Sequence, residues 1–341
     1  MPEPWLTTLA ARGARCDGGM VQSFGDPQGE LAATPAGSVV ADLSNLGVLA
    51  IGGDDARAFL HGQLTCDVAA LGPASGTLGA YCSPQGRVIA SFFLWAAPDG
   101  FRMALARDLA QTVAARLRKF VLRARVSVAD RSQDLALLGL SGPAAGTALA
   151  ATLGSPVPGP GAVVHASAAT AIALPGGRFL VAAEGAGAAG IWDALARSLR
   201  PVGTRCWTWL DIRDGVPLVT AATSEAFVPQ MANLDLLGGV SFQKGCYPGQ
   251  EVVARTQYLG KTKRRMFRAA VTAEAQPGEA LFSEDLGDQA SGTVVLAAPS
   301  PDGGFEVLAV APVASMTGSV VHLRALGGPV LRVLALPYPV A

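Results

Sequence analysis

The spacing of apolar residues along this chain switches between the period of a strand and that of a helix. Residues 47–51 form a short apolar run that predicts a strand, and Gly52-Gly53 supplies a turn after it. Asp54 or Asp55 is then placed to cap a helix through Ala56, Phe59 and Leu60. Residues 79–81 and 88–94 predict paired strands joined by Ser83-Pro84-Gln85-Gly86-Arg87, in which Pro84 and Gly86 suit a tight turn. Leu109, Val113, Leu117 and Phe120 share one helical face, with Arg116, Arg118 and Lys119 towards solvent near the negative end of the dipole.

From Leu135 the pattern restarts. It gives a strand at 135–140, an Ala-rich helix to Leu153, a Gly/Pro loop, strands at 170–174 and 179–183, and a helix over 188–199. Pro175-Gly176-Gly177 joins the last two strands as a hairpin, so their sheet is antiparallel. The G-x-G-x-x-G at Gly185, Gly187 and Gly190 therefore reads as a helix start and not as a dinucleotide fingerprint. Trp207 and Trp209 read as core or interdomain packing and not as a stacking platform for bases. The final part changes to short β-rich runs at 266–271, 292–296, 306–310, 319–326 and 330–336, separated by Gly/Pro turns. The fold class expected is α+β, with a first α+β domain over 1–130, a second over 131–259 and a C-terminal β-barrel over 260–341.

At 341 residues the chain exceeds the usual size of one core, and 50% hydrophobic with 15% charged residues supplies the material for more than one. Net charge is zero, which argues against a general nucleic-acid coat. The cysteines (Cys16, Cys66, Cys82, Cys206 and Cys246) are scattered without C-x-x-C spacing, which supports neither a disulfide framework nor a zinc ribbon and fits a reducing compartment. His61, His165 and His322 are far apart, so a histidine-rich metal centre is not expected and no tightly bound metal is assigned. No apolar run approaches the length of a membrane span, and Glu3 and Asp17 interrupt any secretory leader.

The chemistry concentrates in Lys244-Gly245-Cys246-Tyr247-Pro248-Gly249-Gln250-Glu251, which reads as a tight loop bearing functional side chains. Lys244, Arg255 and Lys261 are cations close in sequence to Cys246, and such neighbours favour thiolate over thiol. Cys246 is thus the candidate reactive group and Lys244 its candidate activator. The polar run His61-Gly62-Gln63-Leu64-Thr65-Cys66-Asp67-Val68 is either the wall of a ligand pocket or a helix C-terminus with Gly62 as stop signal. The basic run Lys261-Thr262-Lys263-Arg264-Arg265, with Arg268 beyond it, could meet an anionic ligand tail, a phosphate backbone or an acidic partner, or else form a solvated hinge between domains.

The residues 244–251, together with Gly215-Val216-Pro217, Val228-Pro229-Gln230, Asn233-Leu234, 238–242, Ala254-Arg255 and Gly260-Lys261, resemble the YgfZ family. These are folate-binding relatives of the T-protein (aminomethyltransferase) of the glycine cleavage system. Gly62-Gln63-Leu64-Thr65 and 83–88 fit the same family. Gly215-Val216-Pro217 and Ala254-Arg255-Thr256 are similar to its mitochondrial iron–sulfur branch. The resemblance implies a three-domain cloverleaf around a central channel and a role in iron–sulfur protein assembly or repair that supports radical tRNA-methylthiolating enzymes. It also implies iron–sulfur client or assembly proteins as partners, tRNA only indirectly, no membrane, and a cytoplasmic location (mitochondrial matrix in a eukaryote).

On the same resemblance, Gly245, Tyr247, Gly249, Gln250, Glu251 and Arg255 shape the cysteine loop. Arg213, Gln230, Asn233, Lys261 and Arg264 are the residues expected against tetrahydrofolate, and a transient iron–sulfur cluster could pass through Cys246. Two departures stand out. Ala90 and Ser91 occupy the place of the acidic pair of T-proteins, which speaks against a classical aminomethyltransferase. Arg213 stands where a glutamate grips the pteridine, and a guanidinium has no acceptor to offer. A folate-dependent one-carbon transferase and a tRNA-binding accessory protein are the alternative readings.

Overall fold

The computed structural model describes residues 4–258 and 262–340. Two compact units result. One takes the chain up to Ala56 with Leu71–Thr77 and Phe93–Leu210, and the other takes Arg57–Ala70, Leu78–Phe92 and the chain from Asp211 onward.

The first unit is built on a six-stranded sheet ordered Val163–His165, Ala169–Leu174, Arg178–Glu184, Leu135–Ser141, Val39–Asp42, Arg200–Val202. All its ladders are antiparallel except the last, so the hairpin reading of 170–183 is borne out. Leu138, Leu140 and Val181 project from this sheet into a core completed by Leu149 and by Ile191, Trp192 and Leu195 of the Gly185–Leu195 helix. Trp192 is held between Trp5, edge-on at 6.2 Å, and Phe24, stacked at 5.3 Å. The N-terminal residues thus complete this core, although their pattern announced no element. The helix expected over 188–199 runs over Gly185–Leu195 instead, because Arg200–Val202 is drawn into the sheet beside Val39–Asp42.

A five-stranded sheet is ordered Gly76–Cys82, Val88–Ala97, Gly100–Ala106, Leu46–Gly52, Ser127–Asp130, and its first two strands carry the chain from one unit into the other. The helix Arg107–Val121 packs on Leu46–Gly52 and Ser127–Asp130 through Leu109, Val113 and Leu117. Phe120, expected on that buried face, is half exposed in the last turn of the helix. Trp207 and Trp209 are buried on a helix, Thr204–Asp214, and the Arg178 guanidinium lies 4.6 Å from the Trp207 ring centroid.

The second unit contains the C-terminal sheet, ordered Val321–Leu323, Ala280–Ser283, Ala290–Pro299, Phe305–Pro312, Arg264–Val271, Arg332–Leu334. Bulges between Leu281 and Phe282 and between Val294 and Leu296 strengthen its twist. Residues 329–331 then pair with Val321–Leu323 while Arg332–Leu334 pairs with Arg264–Val271, so the sheet curls until its two edges meet at the His322–Val330 bridge. Closure of this kind removes the exposed edges that a flat six-stranded sheet would leave. The strand Ala280–Ser283 and the helix Val313–Gly318 were not expected from the sequence.

Candidate functional site

Within the second unit, the cysteine loop is fixed at three points. The first is Lys244. Its side chain reaches the turn that follows the Ala56–His61 helix and donates to the backbone carbonyls of His61, Leu64 (2.5 Å) and Cys66 (3.0 Å). An ammonium has three N–H donors, so all of them are used. The turn is shaped to present those carbonyls. Thr65 Oγ1 donates to the Gly239 carbonyl (2.6 Å) and accepts from Ala80 N–H (2.8 Å), while Ser241 N–H donates to the Thr65 carbonyl (2.9 Å). Burial pushes the Lys244 amine below its ordinary value of 10.5, and the Cys66 and Asp67 side chains oppose that shift.

The second anchor is Tyr247, which is buried with its ring centroid 5.2 Å from the Lys244 ammonium. Burial, followed by the nearby Cys82 thiol, raises its phenol well above the ordinary value. The third is Gly249. Its backbone, at φ +80°, lies so close to the Ser83–Arg87 turn that a Cβ there would stand 2.4 Å from the Ser83 carbonyl oxygen and 2.6 Å from Gly86. That turn is the expected one, closed by Ser83 N–H to the Arg87 carbonyl and Gly86 N–H to the Ser83 carbonyl. Between these anchors Gly245 and Cys246 are exposed. The result is a thiol presented on a short arch whose feet are buried.

The segment is a loop only as far as Gly249. Gln250 opens a helix, Gln250–Tyr258, on which Glu251 and Arg255 are exposed one turn apart and Val253 is buried. The polar run 61–68 begins at a helix C-terminus, and the carbonyls of His61, Leu64 and Cys66 at and beyond it hold the Lys244 ammonium. All three Lys244 donors are spent on those carbonyls, so the amine has none left for the Cys246 sulfur.

The residues expected against folate divide by their partners. Gln230 is fully buried and donates through Nε2 to the Val253 carbonyl (2.7 Å), leaving its Oε1 buried without a hydrogen bond. Asn233, in the left-handed region at φ +56°, donates to the Met266 carbonyl (2.8 Å) and accepts from Met266 N–H, so both ends of its amide join the first strand of the C-terminal sheet. Arg213 Nε donates to Asp214 (2.9 Å). Arg264 is half-buried at the start of its strand, and Lys261 lies outside the described residues. In the basic run, Arg265 is committed to Asp235 (2.7 Å) and the Gln230 carbonyl (2.8 Å), and Arg268 to Glu306. These two cations are structural. Sequence reading missed Asp235 and Glu306, because each meets its partner only across the fold.

Ala90 is fully buried, and the buried Ser91 hydroxyl donates to the Pro217 carbonyl (3.0 Å) and accepts from Val219 N–H (2.9 Å). No carboxylate stands at these two positions. Among the described residues no group of three or more His, Cys, Asp and Glu side chains is arranged to hold a metal ion, and no helix is long and apolar enough to cross a membrane. Burial pushes the Cys66 and Cys82 thiols up to about 12 and Cys206 to about 11. Exposure separates Cys246 from these three.

Comparison with known proteins agrees with this architecture. A family model described as the GCVT N-terminal domain matches residues 21–158. The solved aminomethyltransferase T of the glycine cleavage system from Bartonella henselae superposes with a TM-score of 0.81 at 21% identity, covering 97% of this chain and 96% of that one. That likeness establishes an aminomethyltransferase-like α+β fold. The tRNA-modifying protein YgfZ of Edwardsiella ictaluri is 34% identical over 321 residues, spanning 92% of this chain and 96% of its own. That of Klebsiella pneumoniae is 34% identical over 303 residues, spanning 87% and 91%. With identity of this order sustained over nearly the whole of both chains, the protein belongs to the YgfZ family.

Proposed function

We propose that this chain is a cytoplasmic accessory factor for iron–sulfur protein assembly or repair, and that it supports radical enzymes that methylthiolate tRNA. The observation that carries the reading is the exposed Cys246 thiol held on an arch with buried feet. Cys66, Cys82 and Cys206 are buried, as free cysteines usually are, and of the two exposed cysteines, Cys16 and Cys246, Cys246 is the one held on this anchored loop. The relatives named as tRNA-modifying proteins connect the family to tRNA modification. Clusters usually take four protein ligands, so one thiol makes the cluster a cargo shared with a client or a second subunit. Aminomethyl transfer is not favoured, because the Ser91 hydroxyl is spent on backbone and Ala90 has no titratable group.

The test is complementation. In cells lacking their own copy, Cys246→Ser is expected to support cluster-enzyme activity no better than an empty vector, at an unchanged melting temperature. Full activity from that variant would remove the thiol from the account.

Tetrahydrofolate is plausible for a fold of this kind, but two of the residues expected against it offer a pteridine no free acceptor. Arg213 is donor-only where an acceptor is needed, and both ends of the Asn233 amide are committed to Met266. No step is derived through folate. By calorimetry, Arg213→Glu is expected to bind tetrahydrofolate at least about tenfold more tightly than the natural protein, a difference of about 1.4 kcal/mol. Equal binding would mean that Arg213 does not occupy the place of the missing acceptor.

A further inference from the structure

The end of the Arg107–Val121 helix is built against the usual economy of a surface. Phe120 is 50% exposed and Leu122, the residue that ends the helix, is 87% exposed. Leu122 also holds φ +46° and ψ −106°, and Ala124 N–H bonds the Val121 carbonyl (2.8 Å) across it. That is the first central position of a turn of type II′ character, where glycine is the residue that fits without strain. A leucine placed there meets both a backbone cost and exposure to water.

Along the chain on both sides of these two apolar residues the charge is of one sign. Arg116, Arg118, Lys119, Arg123 and Arg125 fall within residues 116–125, and no acidic residue occurs between Asp108 and Asp130. Arg125 is matched by Asp54 (2.9 Å) and Asp55 (3.7 Å), and Arg118 Nε donates to the Val128 carbonyl (2.9 Å) while keeping its charge. Lys119 and Arg123 are exposed on either side of Phe120 and Leu122. Complementing the helix dipole accounts for cations in the last turn. It accounts neither for the exposed ring nor for the strained leucine.

We infer that this helix end is a docking site for a single-stranded segment of RNA. Phe120 supplies a stacking face, Leu122 an apolar shelf beside it, and Lys119 and Arg123 meet the phosphates. An aromatic ring flanked by guanidinium and ammonium groups is the chemistry by which unpaired nucleotides are held, since every base has a π-face and every step a charge. A membrane surface fits less well. The apolar stripe of this helix (Leu109, Val113, Leu117) is buried in the protein's own core and is not available to lie in a bilayer. The neutral net charge of the chain is no objection, because the cations here are local. This site goes beyond the proposed thiol function and uses none of its residues.

The test is fluorescence anisotropy of the full-length protein with labelled bulk tRNA and with a short labelled single-stranded RNA, over about 50 to 200 mM salt. The double change Lys119→Glu with Arg123→Glu is expected to lower tRNA affinity at least about tenfold and to flatten the log–log salt slope by about two. Phe120→Ala should weaken the single-stranded RNA about tenfold without changing that slope. Leu122→Gly should raise the melting temperature while lowering RNA affinity, a combination that a merely structural leucine would not give. Cys246→Ser should bind RNA as the natural protein does, so failure of this site and failure of the thiol reading are separable. Unchanged RNA affinity in the double variant would overturn the inference. So would loss of binding to phosphatidylserine vesicles, but not to RNA, in the same variant.

Discussion

Alanine at position 249 is expected to detach the cysteine loop from the hairpin beneath it. A Cβ there falls 2.4 Å from the Ser83 carbonyl oxygen and 2.6 Å from both the nitrogen and the Cα of Gly86. These are backbone atoms of a closed turn, so no side chain can rotate aside. The φ of +80° adds strain of about 1–2 kcal/mol for any residue with a Cβ. Together the clash and the strain should cost about 3 kcal/mol or more, or else displace the loop. Gly249→Ala should therefore lose the biological activity as fully as Cys246→Ser does, and limited trypsin digestion should cut after Lys244. Gly245→Ala is the internal control. It lies in the same motif, its nearest neighbour is His61 Nε2 at 4.0 Å, and its backbone needs no positive φ. A Gly249→Ala protein as stable, active and trypsin-resistant as Gly245→Ala would contradict the packing described.

The second large effect is expected at Lys244. Lys244→Met keeps the length and apolar stem of the side chain but leaves the carbonyls of His61, Leu64 and Cys66 without their donor. Hydrogen bonds from a charged group contribute about 1.5–3 kcal/mol each, and breaking such an arrangement from one side typically costs about 3–5 kcal/mol. The denaturant midpoint of Lys244→Met should fall accordingly, and a midpoint equal to the natural protein's would refute the cage. The pH dependence has a definite sign. Burial lowers the folded pKa below the ordinary 10.5, so between the two values the unfolded chain binds more protons. Stability contributed by this group therefore rises with pH through that window. The difference in stability between the natural protein and Lys244→Met should widen there.

Much of this site was legible in the chain. The mixture of Lys, Cys, Tyr and Glu among glycines at 244–251 marked the loop, and Pro84 with Gly86 marked the turn it rests on. What could not be read is how the two halves meet. Lys244 stands next to a cysteine in sequence, which suggests thiol activation, yet its partners are backbone carbonyls around residue 61 that no side-chain pattern can announce. The run at 261–268 looked like an anion site because charge is visible in sequence and pairing is not. Asp235 and Glu306, which commit Arg265 and Arg268, lie about 30 and 38 residues away along the chain. Phe120 fell on the helical period of its buried neighbours, but period alone does not say where burial stops.

The central claim is that the anchored loop presents Cys246 as an accessible thiol, and timed alkylation with iodoacetamide followed by peptide mass spectrometry tests it most directly. Cys16 is also exposed, but its thiol donates to the Leu6 carbonyl (3.9 Å), and partial burial and the charge of Asp42 push it upward, so slow reaction is expected there. The account predicts that Cys246 is labelled first, Cys16 later, and Cys66, Cys82 and Cys206 only after denaturation. A native protein in which Cys246 stays unmodified while Cys16 or a buried cysteine is labelled would contradict it.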